Sequence, residues 1–180
     1  MTEQRHPYSI LSDMARAGRD HAVGLPAQDE AQEYWSGIAF TLGGQRYIAH
    51  MGEVSEILRV PHFTGLPGVK SWVIGVANVR GRLVPIIDLA GYLGIEAKSL
   101  VRNRRVLVVE INDMLNGIIV DSVEGLQNIR VEDYIETNQS DVPTSLQEHV
   151  AGYYQHHRMN FNLLNMHGLV SSDSFMAVAN

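Results

Sequence analysis

Apolar and polar residues alternate along most of this chain with a period of two, the spacing that sends successive side chains to opposite faces of a strand. Ile38, Phe40 and Leu42 alternate, Gly43-Gly44 reads as a two-residue hairpin loop, and residues 45–50 return as the partner strand. Met51, Val54, Ile57 and Leu58 then fall at helical spacing and predict a short helical turn. Val60-Pro61 ends it, because proline disfavours the α conformation in the residue before it. Residues 72–79 and 83–87 form the next strand pair around an Arg80-Gly81 turn. Val73, Gly75, Ala77 and Val79 make one face and Ile74 and Val76 the other. Strands apolar on both faces are covered on both sides or curled into a small barrel. Pro85 cannot donate to a ladder, which predicts an edge or a bulge there. Asp88 is placed to N-cap a short helix over 89–93, and Gly94 to end it in the left-handed conformation. Strands follow over 106–111 and 115–120, with Asn112-Asp113 between them, and over 123–129. After a polar loop at 138–144, residues 150–156 and 160–164 form a last hairpin, and Asn165 caps a final short helix to Val170.

The first 36 residues follow another pattern. They are polar and rich in Ala, Arg, Asp, Gln and Glu. Ile10, Met14 and Ala17 share one helix face, Gly18 and Gly24-Leu25-Pro26 interrupt it, and a second helical segment is predicted over 27–35. The chain therefore divides into an N-terminal arm at 1–36, a β domain at 37–172 and a C-terminal tail at 173–180. The arm either packs on the main domain or a partner, or is a partly ordered tail.

The β domain repeats itself. Val73-Ile74-Gly75 falls on Val150-Ala151-Gly152 at an offset of 77, which also lays Ile86-Ile87-Asp88-Leu89 on Leu163-Leu164-Asn165-Met166 and Gly91 on Gly168. At an offset of 69, Val54 and Ile57 fall on Val123 and Leu126. Two related offsets predict two copies of one small barrel unit, divided near 95–105, with a longer loop late in the second. Short, evenly spaced strands separated by turn signals favour barrels.

Composition narrows the function. Hydrophobic residues make up 45% of the 180 and charged residues 19%, enough for a real core. The formal net charge of −6 argues against nucleic acid or an anionic membrane as the main partner. The absence of cysteine removes disulfides, thiol catalysis and thiolate metal sites, and suits the cytoplasm. No segment resembles a signal peptide, and none approaches the roughly 18 apolar residues of a membrane helix, so a soluble cytoplasmic protein is expected. Arg102, Arg104 and Arg105 cluster around Asn103, but no aromatic residues interleave them, as a nucleic-acid surface would require. His149, His156 and His157 lack a carboxylate at ligand spacing, and His156 and His157 should point to opposite faces of a strand, so no metal is expected. No nucleophile elbow, phosphate loop, dinucleotide fingerprint or zinc-protease motif occurs. Asp88 and Asp121 read as caps and turn residues rather than an acid/base pair. The expectation is a protein without catalysis or cofactor. The competing class is a small-barrel nucleic-acid binder, which would bind oligonucleotide with steep salt dependence.

Several ordered motifs resemble the CheW-like family of chemosensory adaptors. They are Val54-Ser55-Glu56-Ile57-Leu58, Leu66-Pro67, Gly75 through Gly81, Val84 through Leu89, and Gly117 through Val123. Gly24 through Gln28 and Trp35-Ser36-Gly37 resemble the CheW-type protein of twitching-motility systems, which move cells by type IV pili. The resemblance implies two five-stranded SH3-like barrels and no catalysis. It implies binding to the regulatory domain of a CheA-type histidine kinase (ChpA-like) and to the cytoplasmic tip of a chemoreceptor (PilJ-like). It further implies recruitment to membrane-bound receptor arrays. Asn165 stands where many members have Asp, and asparagine also caps well.

By the same resemblance the receptor-binding residues are Val54, Glu56, Gly75 and Arg80. An ion pair between Glu56 at the end of its helical segment and Arg80 on its turn would orient that turn, because guanidinium and carboxylate match as a fork. As an exposed salt bridge alone it would contribute only about 0–1 kcal/mol. Val54 is either a receptor contact or a core residue. Gly75 reads as a place of close backbone approach, Gly81 as a turn residue and Asn78 as a side chain bonding its own loop. Pro85, Asp88 and Asn165 complete the turn and cap residues.

Overall fold

The computed structural model describes residues 33–137 and 141–179. In chain order these form β1 (Tyr34–Leu42), β2 (Gln45–His50), β3 (Glu56–Arg59), β4 (Val73–Val79), β5 (Arg82–Asp88), α1 (Leu89–Leu93), β6 (Arg105–Ile111), β7 (Met114–Val120), β8 (Ser122–Arg130), β9 (Tyr134–Ile135), α2 (Thr144–Gln147), β10 (Val150–His156), β11 (Met159–Leu164), α3 (Met166–Val170) and α4 (Asp173–Met176). Short 3-10 turns occupy Met51–Glu53, Val101–Asn103 and Val131–Asp133. The predicted arm lies outside the described residues up to position 32. Its last part does not: Tyr34, Trp35 and Ser36 belong to β1 rather than to a helix. Among the described residues no helix is long and apolar enough to cross a membrane.

Four hairpins share one solution. β1–β2, β4–β5, β6–β7 and β10–β11 each close through two residues, at Gly43-Gly44, Arg80-Gly81, Asn112-Asp113 and His157-Arg158. Both residues of every loop have positive φ, from 49° at Asn112 to 86° at Gly44. That is the turn whose twist matches the flanking strands. It also corrects the reading of His156 and His157. His157 sits in the turn rather than the strand, so the two rings meet with centroids 4.0 Å apart.

Strand order is β8-β1-β2-β11-β10-β9 in one sheet and β3-β6-β7-β5-β4 in the other. The internal repeat is reproduced in detail. Both β4 and β10 shift register at the same place, between Val73 and Gly75 and between Val150 and Gly152. Both β5 and β11 pair parallel to a hairpin strand, β7 and β2 respectively. Asp88 accepts from Gly91 N and Asn165 from Gly168 N, capping α1 and α3 alike. Gly94 ends α1 at φ 65°. The sheets, however, do not divide near 95–105. Each repeat supplies a leading hairpin, β1–β2 or β6–β7, and that hairpin completes the sheet of the other repeat.

The exchange explains the near-continuous apolar runs of the hairpin strands. Val106 and Val108 point into the five-stranded barrel with Val84 and Ile86, while Leu107 and Val109 point into a core shared by both sheets. Ala39 and Ile48 fill the second barrel with Phe161, while Phe40 and Tyr47 enter the shared core. A strand buried on both faces has no polar side to show.

Tyr47 is fully buried, and its hydroxyl has no hydrogen-bond partner among the described residues. Burial pushes the phenol up to about 12. Tyr47→Phe is therefore expected to raise stability by up to about 1 kcal/mol, because it removes an unsatisfied buried group. The folded pKa lies above the unfolded value near 10, so this tyrosine costs stability as pH rises from about 10 toward 12. Urea titrations of both proteins across that range should show the alkaline loss reduced in the variant.

Three further expectations are corrected. Residues 56–59 form a strand, because pairing with β6 from Glu56↔Val108 to Arg59↔Arg105 overrides local helical spacing. Pro85 lies on an interior strand, opposite Val76, whose N–H and carbonyl both bond Thr64 instead. The proline nitrogen thus faces away from β4, and pairing with β7 begins only at Ile86. Residues 173–179 are no free tail. Phe175 is buried against Trp72 and Tyr92, Lys70 N donates to Val178 O, and the Tyr92 and Ser174 hydroxyls lie 2.8 Å apart. Of the predicted polar loop, 138–140 lie outside the described residues, Val142 is buried and Thr144 opens α2.

Candidate partner-binding surface

β3 and β4 are the two edges of the five-stranded sheet. The sheet curls until they meet: Leu58 of β3 and Val60 just after it pack on the interior cluster that contains Ala77 and Val79 of β4. Across this seam Arg80 Nη2 donates to Glu56 Oε1 at 2.8 Å. Glu56 opens β3 rather than ending a helix. Arg80 sits at φ 50° in its turn, a conformation that costs a residue with a Cβ roughly 1–2 kcal/mol. The side chain of Arg80 is 80% exposed and that of Glu56 22%. Asn78 Oδ1 accepts from Gly81 N at 2.8 Å, and Gly81 has φ 84°. The turn is thus held by Asn78 beneath and by the ion pair beside it, leaving guanidinium surface free for a partner.

Upstream, His50 and Glu53 cap the Met51–Glu53 turn reciprocally. Glu53 Oε1 also accepts from His167 N, tying this turn to α3. Val54 follows, half-buried against the shared core. Met51 and Ile57 beside it are exposed. Gly75 differs from the other three candidates. It is buried at the β4 bulge with φ 152°, and a Cβ there would stand 2.2 Å from Thr64 O. Any influence on a partner passes through the Thr64–Val76 bridge that this approach permits.

The arginine cluster is largely committed internally. Arg105 Nη1 donates to the carbonyls of Arg102, Asn103 and Arg104, and Arg104 pairs with Asp88 at 3.7 Å. His149 lies 3.3 Å from the Glu148 carboxylate. Burial lowers the pKa of His156, with His157 adding to the effect. Among the described residues no group of three or more His, Cys, Asp or Glu could hold a metal ion.

One residue of structural weight was underread from sequence. Asp121, buried at the exit of β7, accepts from Gly43 N at 2.9 Å and Lys98 N at 3.2 Å, and Ser99 Oγ donates to its carbonyl at 2.7 Å. Its own N–H reaches Thr41 O. The turn between β1 and β2, the segment after α1 and the β7–β8 junction all meet on this carboxylate.

Residues 36–174 match the family model of the CheW-like domain. The chain belongs to the CheW-like family. Over 179 residues, 99% of each chain, this CheW-like protein is 45% identical to Protein PilI of Pseudomonas aeruginosa. It is 28% identical over 138 residues to the chemotaxis protein CheW of Helicobacter pylori, covering 77% of this chain and 80% of that one. Among solved structures, the scaffolding protein TtCheW of Thermoanaerobacter tengcongensis superimposes with a TM-score of 0.67 at 22% identity, covering 82% of this chain and 94% of that chain. That likeness concerns the fold, and it agrees with two curled sheets as paired SH3-like barrels.

Proposed function

We propose that this CheW-like protein is a non-catalytic adaptor that couples a chemoreceptor tip to the regulatory domain of a CheA-type histidine kinase. The receptor would be PilJ-like and the kinase ChpA-like, within a type IV pilus signalling pathway at membrane-bound receptor arrays. The full-length likeness to Protein PilI supports this pathway. The observation that carries the site is the Glu56–Arg80 pair, an exposed cation fixed by its carboxylate on a rigid turn. Val54, Met51 and Ile57 supply apolar surface nearby in sequence, suited to anchors on a receptor helix.

Arg80→Glu is expected to weaken binding of a receptor cytoplasmic fragment at least about tenfold, roughly 1.4 kcal/mol, with the fold intact. Arg80→Gly removes the guanidinium and relieves the left-handed backbone, so its stability should stay within about 1 kcal/mol of the parent while binding falls. Calorimetric titration beside circular dichroism checks both. Undiminished receptor binding by both variants would sink the site. A cognate kinase regulatory domain that failed to co-purify would sink the adaptor reading.

A further inference from the structure

β3 carries a charge arrangement that works against the fold. Arg59 stands directly opposite Arg105 of β6. Opposite residues of an antiparallel pair share a face, with Cβ atoms about 4.5–5.5 Å apart, and like charges so placed are destabilising. Arg102 is close by, because Arg105 Nη1 donates to its carbonyl. Of Arg59, Arg102, Arg104 and Arg105, only Arg104 has a carboxylate partner among the described residues, namely Asp88. Arg105 spends Nη1 on three carbonyls, which bring no net charge, and leaves Nε and Nη2 unused. In a chain of net charge −6, cations without a counter-charge thus gather at one end of the β3–β6 pair.

The same face offers apolar surface. Ile57 lies opposite Leu107, which points into the shared core, so Ile57 and Arg59 both project on that side of β3. Ile57 is 39% exposed, and Arg59 and Arg102 are exposed as well. Two residues of strand span about 6.8 Å, close to the roughly 6 Å rise of four helix residues. A helix laid along β3 therefore meets Ile57 and Arg59 with side chains one turn apart.

We propose that Arg59, backed by Arg105 and Arg102, binds an acidic side chain of the receptor helix, one turn from an aliphatic side chain that packs on Ile57. The inference rests on the receptor-adaptor reading and extends its site from the Glu56–Arg80 pair along β3. Charge selects the occupant: a carboxylate relieves the opposed arginines, whereas an apolar or basic helix surface leaves them opposed.

Two measurements on the full chain should move in opposite directions. Arg59→Glu sets a carboxylate opposite Arg105, so the urea midpoint should rise while affinity for the receptor cytoplasmic fragment falls at least about tenfold. Arg59→Gln should also bind more weakly, and its affinity should fall less steeply than the parent's as salt is raised, because one ionic contact is gone. When the acidic residues of the fragment are changed singly to lysine, one such fragment should bind Arg59→Glu more tightly than it binds the parent. A midpoint that falls together with affinity would assign Arg59 to the fold and overturn the proposal. So would parental affinity in both variants, or no lysine fragment that prefers Arg59→Glu. A parent that binds no fragment at all would overturn the receptor reading, and this inference with it.

Discussion

Gly75→Ala should cost the protein about 3 kcal/mol or more, read as a fall in the urea midpoint. Two causes add. At φ 152° an alanine is strained, and its Cβ would stand 2.2 Å from Thr64 O and 2.7 Å from Thr64 C, both backbone atoms. Backbone cannot rotate away as a flexible side chain does. Relief requires pulling residues 64 and 65 off β4, which breaks both hydrogen bonds between Thr64 and Val76. Gly68→Ala is the matched control. It also has positive φ, 70°, but nothing lies within 4 Å of its Cβ position, so it should lose only about 1 kcal/mol. Equal losses at the two sites would show that the close approach contributes nothing. Gly152, where a Cβ would meet Ile135 O at 2.4 Å but φ is not positive, should lose through the close approach alone.

Asp121→Ala should be of similar size, about 2–4 kcal/mol, because it strands the Gly43 and Lys98 amides together. The three segments joined there are far apart in sequence, so their ordering is lost together. Amide exchange at Gly43 and Lys98 should accelerate in the variant more than exchange in β5 or β10. A uniform change across both sheets would instead assign Asp121 to general burial. Asp121→Asn keeps one acceptor oxygen and should lose less.

The parts legible in sequence were those governed by neighbours along the chain. Gly43-Gly44, Arg80-Gly81 and Asn112-Asp113 announced their turns, and Asp88 and Asn165 announced their helices, because turn and cap chemistry is local. The repeat was legible as well, and with it the equivalence of Gly75 and Gly152. What escaped were features that depend on which strand meets which. Residues 56–59 carried helical spacing, yet β6 made them a strand. The hairpin exchange leaves no local mark beyond the double-sided apolar runs at 106–109 and 117–120. Phe175 looked like part of a tail because Trp72 and Tyr92, its neighbours in space, are distant in sequence. At the candidate site the Glu56–Arg80 contact was legible, through the family pattern. That it clasps the two edges of one sheet was not.

The exchanged hairpins also set an order on synthesis. β1–β2 leaves the ribosome first, but β11 and β10, which complete its sheet, come last, ending at Leu164. The five-stranded sheet is complete earlier, once Val120 has emerged. Through that interval the oldest strands of the nascent chain wait with both apolar faces uncovered. Neither half of the gene encodes a unit that can close by itself, and a chain arrested between Val120 and β10 would hold one finished barrel and one orphaned hairpin.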